Sequence, residues 1–309
     1  MNKKNILVIK NLSKIYSKNS SKPITALDKL NLNVQEGEIF GLLGPNGAGK
    51  TTFINILAGT VIKSYGEVNL LGFDLDKNPR QIRGLIGIVP QEVNLDAFFS
   101  PRKILELQAG LYGVPKKKRI TETILKLVSL EKQADTYSRR LSGGMKRRLL
   151  IAKAMVHQPP VLVLDEPTAS LDVELTQKLL ENVKLLNKQG VTIIYTTHHL
   201  SEAQKMCDRI AILNRGNLVA LDTTKNLLDK IENKVIKFQI NKKIDVSKIN
   251  FDGLNILSNS NKEISISLKR KNANIEQIID LIKKENAEII DISTKEGDLE
   301  DVFIQLTKN

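Results

Sequence analysis

The chain has 309 residues, enough for one large α/β domain and a smaller second one. Its single cysteine, Cys207, excludes an internal disulfide and fits a reducing compartment. The sequence never reaches the ~18 consecutive apolar residues of a membrane-spanning helix. The apolar run at residues 6–9 is also too short for the core of a signal peptide. We therefore expect any membrane pore to be another chain.

The first elements alternate short strands with a polar loop. Residues 5–34 contain apolar strands on either side of the loop at 17–23, a pattern that predicts an antiparallel β-subdomain around Tyr16. The apolar run at 38–43 predicts a buried strand. Residues 52–59 predict a helix that ends at Gly59.

Between that strand and that helix lies a complete GxxxxGK[ST] pattern. Glycines allow the backbone to fold so tightly that consecutive N–H groups can face a polyphosphate. The helix N-terminus adds partial positive charge, Lys50 adds a full charge, and Thr51 offers a hydroxyl to Mg²⁺. The predicted nucleoside triphosphate site comprises Gly44, Pro45, Asn46, Gly47, Ala48, Gly49, Lys50 and Thr51.

A mostly helical region is predicted for residues 100–157, after an apolar strand at 85–90 that Gln91 follows. Ser100 followed by proline is a typical helix start, and the basic run 116–119 is expected to open an amphipathic helix. Farther along, Ser142, Gly143 and Gly144 precede the helical run 146–156. A hydroxyl and bare N–H groups at a helix start make a second candidate anion site.

Two carboxylates end the next strand, at residues 161–166. Because the carboxyl ends of parallel strands face the ligand crevice, both acids should emerge beside the phosphates. Asp165 suits Mg²⁺, which prefers oxygen ligands, and Glu166 suits orienting or deprotonating the attacking water. His198 follows a further strand at 191–197.

These motifs, in this order, resemble those of ATP-binding cassette (ABC) ATPases over roughly residues 5–230. The resemblance implies a P-loop NTPase fold of the ABC type, α/β with a parallel-sheet core, an antiparallel β-subdomain and a helical subdomain. It also implies that the chain hydrolyses ATP with Mg²⁺. Met145 departs from the glutamine that commonly closes the family's signature, and Ser170 stands where glycine is frequent. We expect neither change to impair ATP hydrolysis.

The resemblance also assigns roles. Tyr16 would stack on adenine, while Lys50, Thr51 and Thr52 would hold phosphates and Mg²⁺. Gln91 would join the metal ligands and couple them to a membrane partner. The remaining implied roles are the catalytic carboxylate for Glu166, the γ-phosphate sensor for His198, the D-loop for residues 170–172, and contact with the opposite protomer's γ-phosphate for Ser142, Gly143 and Gly144.

The same resemblance implies the assembly. Two copies would sandwich two ATP molecules head-to-tail, and the homodimer would drive an integral-membrane permease from the cytoplasmic face of the inner membrane. The string at 141–148 and the segment at 298–306 resemble the ABC-2-type exporter subgroup, which points toward efflux. The cargo stays open, because in this architecture the permease selects it.

The net charge of +13 invites a nucleic-acid interpretation. Residues 101–150 alone carry 13 basic and 4 acidic side chains, so the excess lies on the expected helical subdomain. We favour a solvated helix face, and attraction to anionic lipid headgroups beside the permease is the next alternative. Specific nucleic-acid binding is least favoured, because aromatic content is only 4% and no reading module is recognisable.

Two other functional classes fit the sequence less well. A soluble ABC ATPase acting on nucleic-acid or ribosome complexes would carry two cassettes or a long coiled coil before the signature, and neither is present in the sequence. A small-molecule P-loop kinase or ligase would have no use for residues 141–144 or His198.

The pattern changes after Thr223. We predict an ABC ATPase domain at 1–230 and a small α+β accessory domain at 231–309. In the second domain, strands are expected at 235–240, 264–268 and 289–292, an amphipathic helix at 275–284, and a last helix around 299–306. No catalytic or metal-binding pattern occurs there, and regulation, dimerisation and permease contact remain open as its role.

Overall fold

The computed structural model describes residues 4–17, 22–169, 171–229, 233–242, 244, 254–260, 262–269, 275–296 and 298–307. Part of the loop at 17–23 and Ser170 of the expected D-loop lie outside the described residues. The chain divides into two compact units, Met1–Thr223 and Thr224–Asn309.

The first sheet of the first unit is antiparallel, in the order β2-β1-β4-β5. Its strands are β1 (Asn5–Tyr16), β2 (Ile24–Gln35), β4 (Tyr65–Leu70) and β5 (Phe73–Asp74). β1 and β2 are each 12 residues long, longer than their sequence pattern suggested, and they pair with four register shifts. The shifts interrupt strict alternation, which is why the sequence pattern showed shorter pieces.

The second sheet contains six strands in the order β10-β9-β3-β8-β7-β6. They are β3 (Ile39–Leu43), β6 (Ile86–Val89), β7 (Val161–Asp165), β8 (Thr192–Thr197), β9 (Arg209–Asn214) and β10 (Asn217–Thr223). The pairs from β9 to β6 are parallel, and β10 is antiparallel to β9. The parallel core with its antiparallel subdomain confirms the expected fold class.

The register of this sheet gathers the functional segments at one edge. Leu43 lies opposite Thr197, and Asp165 lies opposite Thr196. Because β3, β7 and β8 are parallel and adjacent, the residues that follow each strand emerge together. These segments lead into α1 (Lys50–Ala58), α6 (Val173–Lys188) and α7 (Leu200–Met206), while α2 (Pro79–Leu85) precedes β6.

Three helices form a separate apolar cluster: α3 (Pro101–Leu111), α4 (Thr121–Leu127) and α5 (Gly143–Met155). The basic run does not open α4. Lys116–Lys118 form a single 3₁₀ turn, and α4 begins at Thr121. Positive side chains are unfavourable at a helix N-terminus, whereas Glu122 in the first turn of α4 suits it.

The second unit has one antiparallel sheet in the order β12-β13-β11-β14. Its elements are α8 (Thr224–Asp229), β11 (Asn233–Ile240), β12 (Leu254–Asn259), β13 (Glu263–Lys269), α9 (Ile275–Lys284), β14 (Ile289–Glu296) and α10 (Leu299–Thr307). Its apolar core includes Ile236, Phe238, Ile264, Ile266, Ile278 and Ile282. α8 contacts α10 within this unit, so the compact units part seven residues before the boundary suggested by the sequence.

Candidate functional site

The phosphate loop follows β3, whose five residues are all buried. Gly47 has φ +79° and Gly49 has φ +108°, both in the left-handed region that disfavours side chains. A Cβ at Gly49 would also lie 2.5 Å from the carbonyl oxygen of Ala26. Gly44 and Ala48 are buried, whereas Pro45, Asn46 and Gly47 are exposed. The loop therefore presents an exposed tip on a tightly packed base.

Lys50 begins α1 and is only 6% exposed. Its Nζ donates to the carbonyl oxygens of Gly44 at 2.7 Å and Pro45 at 3.2 Å. Burial lowers the pKa of Lys50, and the nearby Glu166 and Asp165 partly oppose that shift. The ammonium group is therefore held inside the loop, beside two carboxylates.

Thr51 is exposed and Thr52 is half-buried on the first turn of α1. The hydroxyl groups of Thr52 and Tyr16 lie 3.4 Å apart, which places Tyr16 next to the start of this helix. Lys14 Nζ lies 4.8 Å from the centre of the Tyr16 ring. One cation thus already contacts this ring, and its stacking on adenine stays a prediction.

Asp165 ends β7 and is buried, with 7% exposure. Thr196 Oγ1 donates to Asp165 Oδ1 at 2.6 Å. Burial raises the pKa of Asp165, while the Thr196 hydrogen bond acts in the opposite direction. The second carboxylate oxygen of Asp165 remains available to a further ligand. Such an oxygen suits a hard cation whose other ligands are mainly phosphates.

Glu166 is the centre of the cluster. Its backbone has φ +45°, and its N–H bonds to both the carbonyl oxygen and Oγ1 of Thr196 at 3.1 Å. Its side chain is 7% exposed and accepts a hydrogen bond from Gln91 Nε2 at 2.8 Å. His198 Nδ1 lies 3.2 Å from Glu166 Oε1, and the His198 side chain is 51% exposed. Residues that follow β6, β7 and β8 thus meet at one carboxylate.

The signature segment lies at the start of α5. Ser142 caps this helix, with its Oγ accepting from the Met145 N–H at 3.3 Å. Ser142 and Gly143 are exposed, whereas Gly144 is buried and a Cβ there would lie 2.7 Å from Leu175 Cδ1. Among the described residues, no hydrogen bond joins this segment to the phosphate loop.

Comparison with known proteins identifies the group. A protein-family profile for ABC transporters matches residues 27–169. The chain is 32% identical to the linearmycin resistance ATP-binding protein LnrL of Bacillus subtilis (strain 168), over 98% of both chains. The chain belongs to the ABC transporter family.

Other relatives agree with that membership. A Nod factor export ATP-binding protein I of Burkholderia thailandensis is 40% identical over 66% of this chain and 67% of its own. A dimeric post-hydrolysis state of an ATP-binding cassette bound to ADP and Pi has a TM-score of 0.63 and 28% identity, covering 71% of this chain and 98% of that one. The protein is the ATP-binding subunit of an ABC transporter and an ATPase.

Sequence reasoning missed two hydrogen-bond networks in this ABC subunit. Arg147, on α5, is 2% exposed and donates to carbonyl oxygens on both sides of Glu166. Glu202, on α7, accepts from Thr168 Oγ1 at 2.8 Å and from Tyr195 OH at 2.7 Å. The doublet Arg147-Arg148 was visible in the sequence, but nothing in it showed which arginine faces the site.

In the described part of the ABC subunit, no helix is both long and apolar enough to cross a membrane. The described His, Cys, Asp and Glu side chains also form no metal-binding group of three or more.

Proposed function

We propose that this ATPase works as a head-to-tail homodimer with Mg²⁺ and drives export through an ABC-2-type permease at the cytoplasmic face of the membrane. The observation that carries the proposal is the Glu166 carboxylate, held between Gln91 and His198 beside Lys50. A buried carboxylate with two positioned neighbours is what activation of a water molecule requires.

The phosphate loop would bind the β- and γ-phosphates through its N–H groups and Lys50. Within the part of the chain that the structure describes, Lys50 Nζ bonds to the loop carbonyls of Gly44 and Pro45 alone, so phosphate oxygens can replace those acceptors. Tyr16 would stack on the adenine, since it lies beside Thr52 at the start of α1. Thr51 is exposed at the same helix start, where its hydroxyl can reach a metal ion.

Mg²⁺ suits the oxygen atoms available here: the Asp165 carboxylate, the Thr51 hydroxyl and the Gln91 amide oxygen. Gln91 donates its amide N–H to Glu166, which leaves its amide oxygen as an acceptor. When bound, the ion would neutralise charge on the phosphates during transfer. Glu166 would take the proton of the attacking water, and His198 would donate to the γ-phosphate.

A second copy would complete the site. Ser142 and Gly143 are exposed at a helix N-terminus and make no hydrogen bond to the phosphate loop of their own chain in the described structure. Donors around the transferring phosphoryl group stabilise its spreading charge. One similar cassette, aligned at 28% and 29% identity to this chain, is a dimer in two solved structures.

The permease would dock on a groove of about 660 Å³ between the core and the helical cluster. Its lining includes Asn55, Arg83, Pro90, Tyr112 and Lys153. Pro90 immediately precedes Gln91, so a partner in this groove would lie next to the catalytic cluster. The domain boundary that we propose from the sequence, after residue 230, moves to Thr223, where the first compact unit ends. The ABC ATPase domain then keeps its helical subdomain at about 100–157, and the accessory domain begins at Thr224. The similarity to the linearmycin resistance protein spans both and supports an export role.

The test is membrane recruitment. Co-expression with its cognate permease should bring the ATPase into the membrane fraction, and the complex should survive high salt because a shape-matched contact has an apolar centre. Binding to lipid through the basic surface would instead fade as the screening length falls from about 10 Å at 0.1 M to about 3 Å at 1 M salt. Equal recovery without the permease, lost in high salt, would contradict the proposed partner.

A further inference from the structure

Arg147 satisfies all of its hydrogen-bond donors within the protein. Its Nη1 donates to the carbonyl oxygens of Pro90 at 2.8 Å and Gln91 at 2.7 Å. Its Nη2 donates to the carbonyl oxygens of Asp165 at 3.1 Å and of Glu166, and its Nε donates to the carbonyl oxygen of Pro167 at 2.7 Å. A guanidinium has five N–H donors, so each has its own carbonyl acceptor.

These five acceptors belong to two separate segments of the site. Pro90 and Gln91 follow β6, whereas Asp165, Glu166 and Pro167 end β7 and begin the next turn. The guanidinium therefore joins the main chains on both sides of the Gln91–Glu166 side-chain hydrogen bond. Gln91 and Glu166 are connected twice, once directly and once through Arg147.

The Glu166 backbone needs such support. Its φ of +45° lies in the left-handed region, which is strained for a residue with a side chain and persists only where surrounding contacts fix it. Arg147 binds the carbonyl groups of Glu166 and of both its neighbours. The planar guanidinium can hold three carbonyls in a fixed fork, which a lysine ammonium cannot reproduce with the same geometry.

We propose that Arg147 is a positioning residue, which sets the Glu166 carboxylate for hydrolysis and makes its position depend on the segment Pro90–Gln91. This inference rests on the proposed role of Glu166 as the base. Arg147 has no hydrogen bond to Lys50 or to the rest of the phosphate loop, so it acts on turnover and not on nucleotide affinity. Because Pro90 also lines the groove, the same contact would carry a partner's displacement to Glu166.

Arg148 provides a matched control on the same helix. It is half-buried and donates to the carbonyl oxygens of Val128 at 2.7 Å and Ser129 at 2.9 Å, within the helical cluster. Arg147→Lys and Arg148→Lys thus make the same chemical change to two carbonyl-bound arginines. Only the first change alters a contact with Glu166.

The first measurement separates turnover from affinity. Arg147→Lys should lower kcat by roughly 10²-fold, the loss typical of a catalytic group displaced by about 1 Å. Its affinity for ATP, measured with a fluorescent nucleotide analogue, should match that of the parent. Arg148→Lys should retain the parental kcat. A parental kcat for Arg147→Lys, or equal losses in the two variants, would overturn the proposal.

The second measurement places both substitutions in one cycle. If Arg147 acts through Glu166, Arg147→Lys should change the residual rate of Glu166→Gln by less than about twofold, because the two changes share one effect. The same fold loss in both backgrounds would show a merely structural role. Parental turnover of Glu166→Gln would instead overturn the assignment of the base, so the two failures differ.

Folding is checked by circular dichroism for Arg147→Lys and for Arg147→Gln. Either folded variant suffices for the kinetic comparison, and the glutamine variant is expected to be the slower because it loses the charge and most donors. If neither variant folds while Arg148→Lys does, Arg147 is a determinant of folding and the positioning role is refuted.

Discussion

The catalytic cluster and the start of α5 differ sharply in burial. Lys50, Asp165 and Glu166 are each at most 7% exposed, and every one of them is hydrogen-bonded within the chain. Ser142 and Gly143 are exposed, and among the described residues the Ser142 side chain bonds to its own helix alone. One region has its partners already, whereas the other offers a hydroxyl and free helix-end N–H groups to something outside the chain. The difference indicates a site made in two halves.

The largest expected effect comes from the buried half. Glu166→Gln should slow ATP hydrolysis by about 10²–10⁴-fold, the usual contribution of a positioned base, or roughly 3–5 kcal/mol of barrier. ATP binding should be preserved, since Lys50 and the loop are untouched, and an ATP-bound dimer should accumulate on size-exclusion chromatography. Single-turnover kinetics give the rate, and unchanged turnover would falsify the role of Glu166.

The exposed half is tested by Ser142→Arg. A bulky cation at the start of α5 should block the sandwich while the monomer still binds ATP, so turnover should fall by roughly 10²-fold or more, as when a charge-stabilising donor is lost. Lys50→Ala is the control, because it removes the cation from the buried half and should abolish nucleotide binding and dimerisation together. Monomers of Ser142→Arg that hydrolyse ATP at the parental rate would rule out completion of the site by a second copy.

The sequence predicted the buried half better than its surroundings. The phosphate loop is encoded by residues that are adjacent in the chain. Gly47 and Gly49 have left-handed φ angles that glycine adopts readily, and Lys50 follows directly. Strand-end carboxylates are also readable, because β7 is an uninterrupted apolar run. The Gln91–Glu166 hydrogen bond spans 75 residues, and no local pattern encodes such a contact.

Arg147 shows why the rest escaped prediction. Arg147 and Arg148 are adjacent, yet on a helix they point about 100° apart, so one enters the site and the other the helical cluster. Carbonyl acceptors carry no residue identity, so the sequence gives no sign of the five that Arg147 binds. In the second unit, β12 was missed because residues 254–259 mix apolar and polar side chains without clear alternation.

The smallest expected effect concerns the stability of the buried half without nucleotide. Burial raises the pKa of Asp165, so the folded chain binds more protons than the unfolded chain between the ordinary value of 3.8 and the raised value. Stability should therefore fall as pH rises through that window. Asp165→Asn removes the charge and should increase the free energy of unfolding at neutral pH by about 1 kcal/mol, at the expense of activity.

The same substitution at Asp135 should change the free energy of unfolding in the opposite direction. This exposed carboxylate accepts a hydrogen bond from Arg102 Nε at 2.9 Å, which lowers its pKa. Its contribution is present above the ordinary carboxyl pKa of 3.8 and is lost as pH falls through the lowered value. Asp135→Asn should thus slightly destabilise the ABC subunit at neutral pH. Urea denaturation across pH measures both variants, and the gain of Asp165→Asn should shrink as pH approaches 3.8. A loss of stability in both variants would mean that the Asp165 charge stabilises the folded chain. Burial of that charge would then not be what destabilises the catalytic cluster.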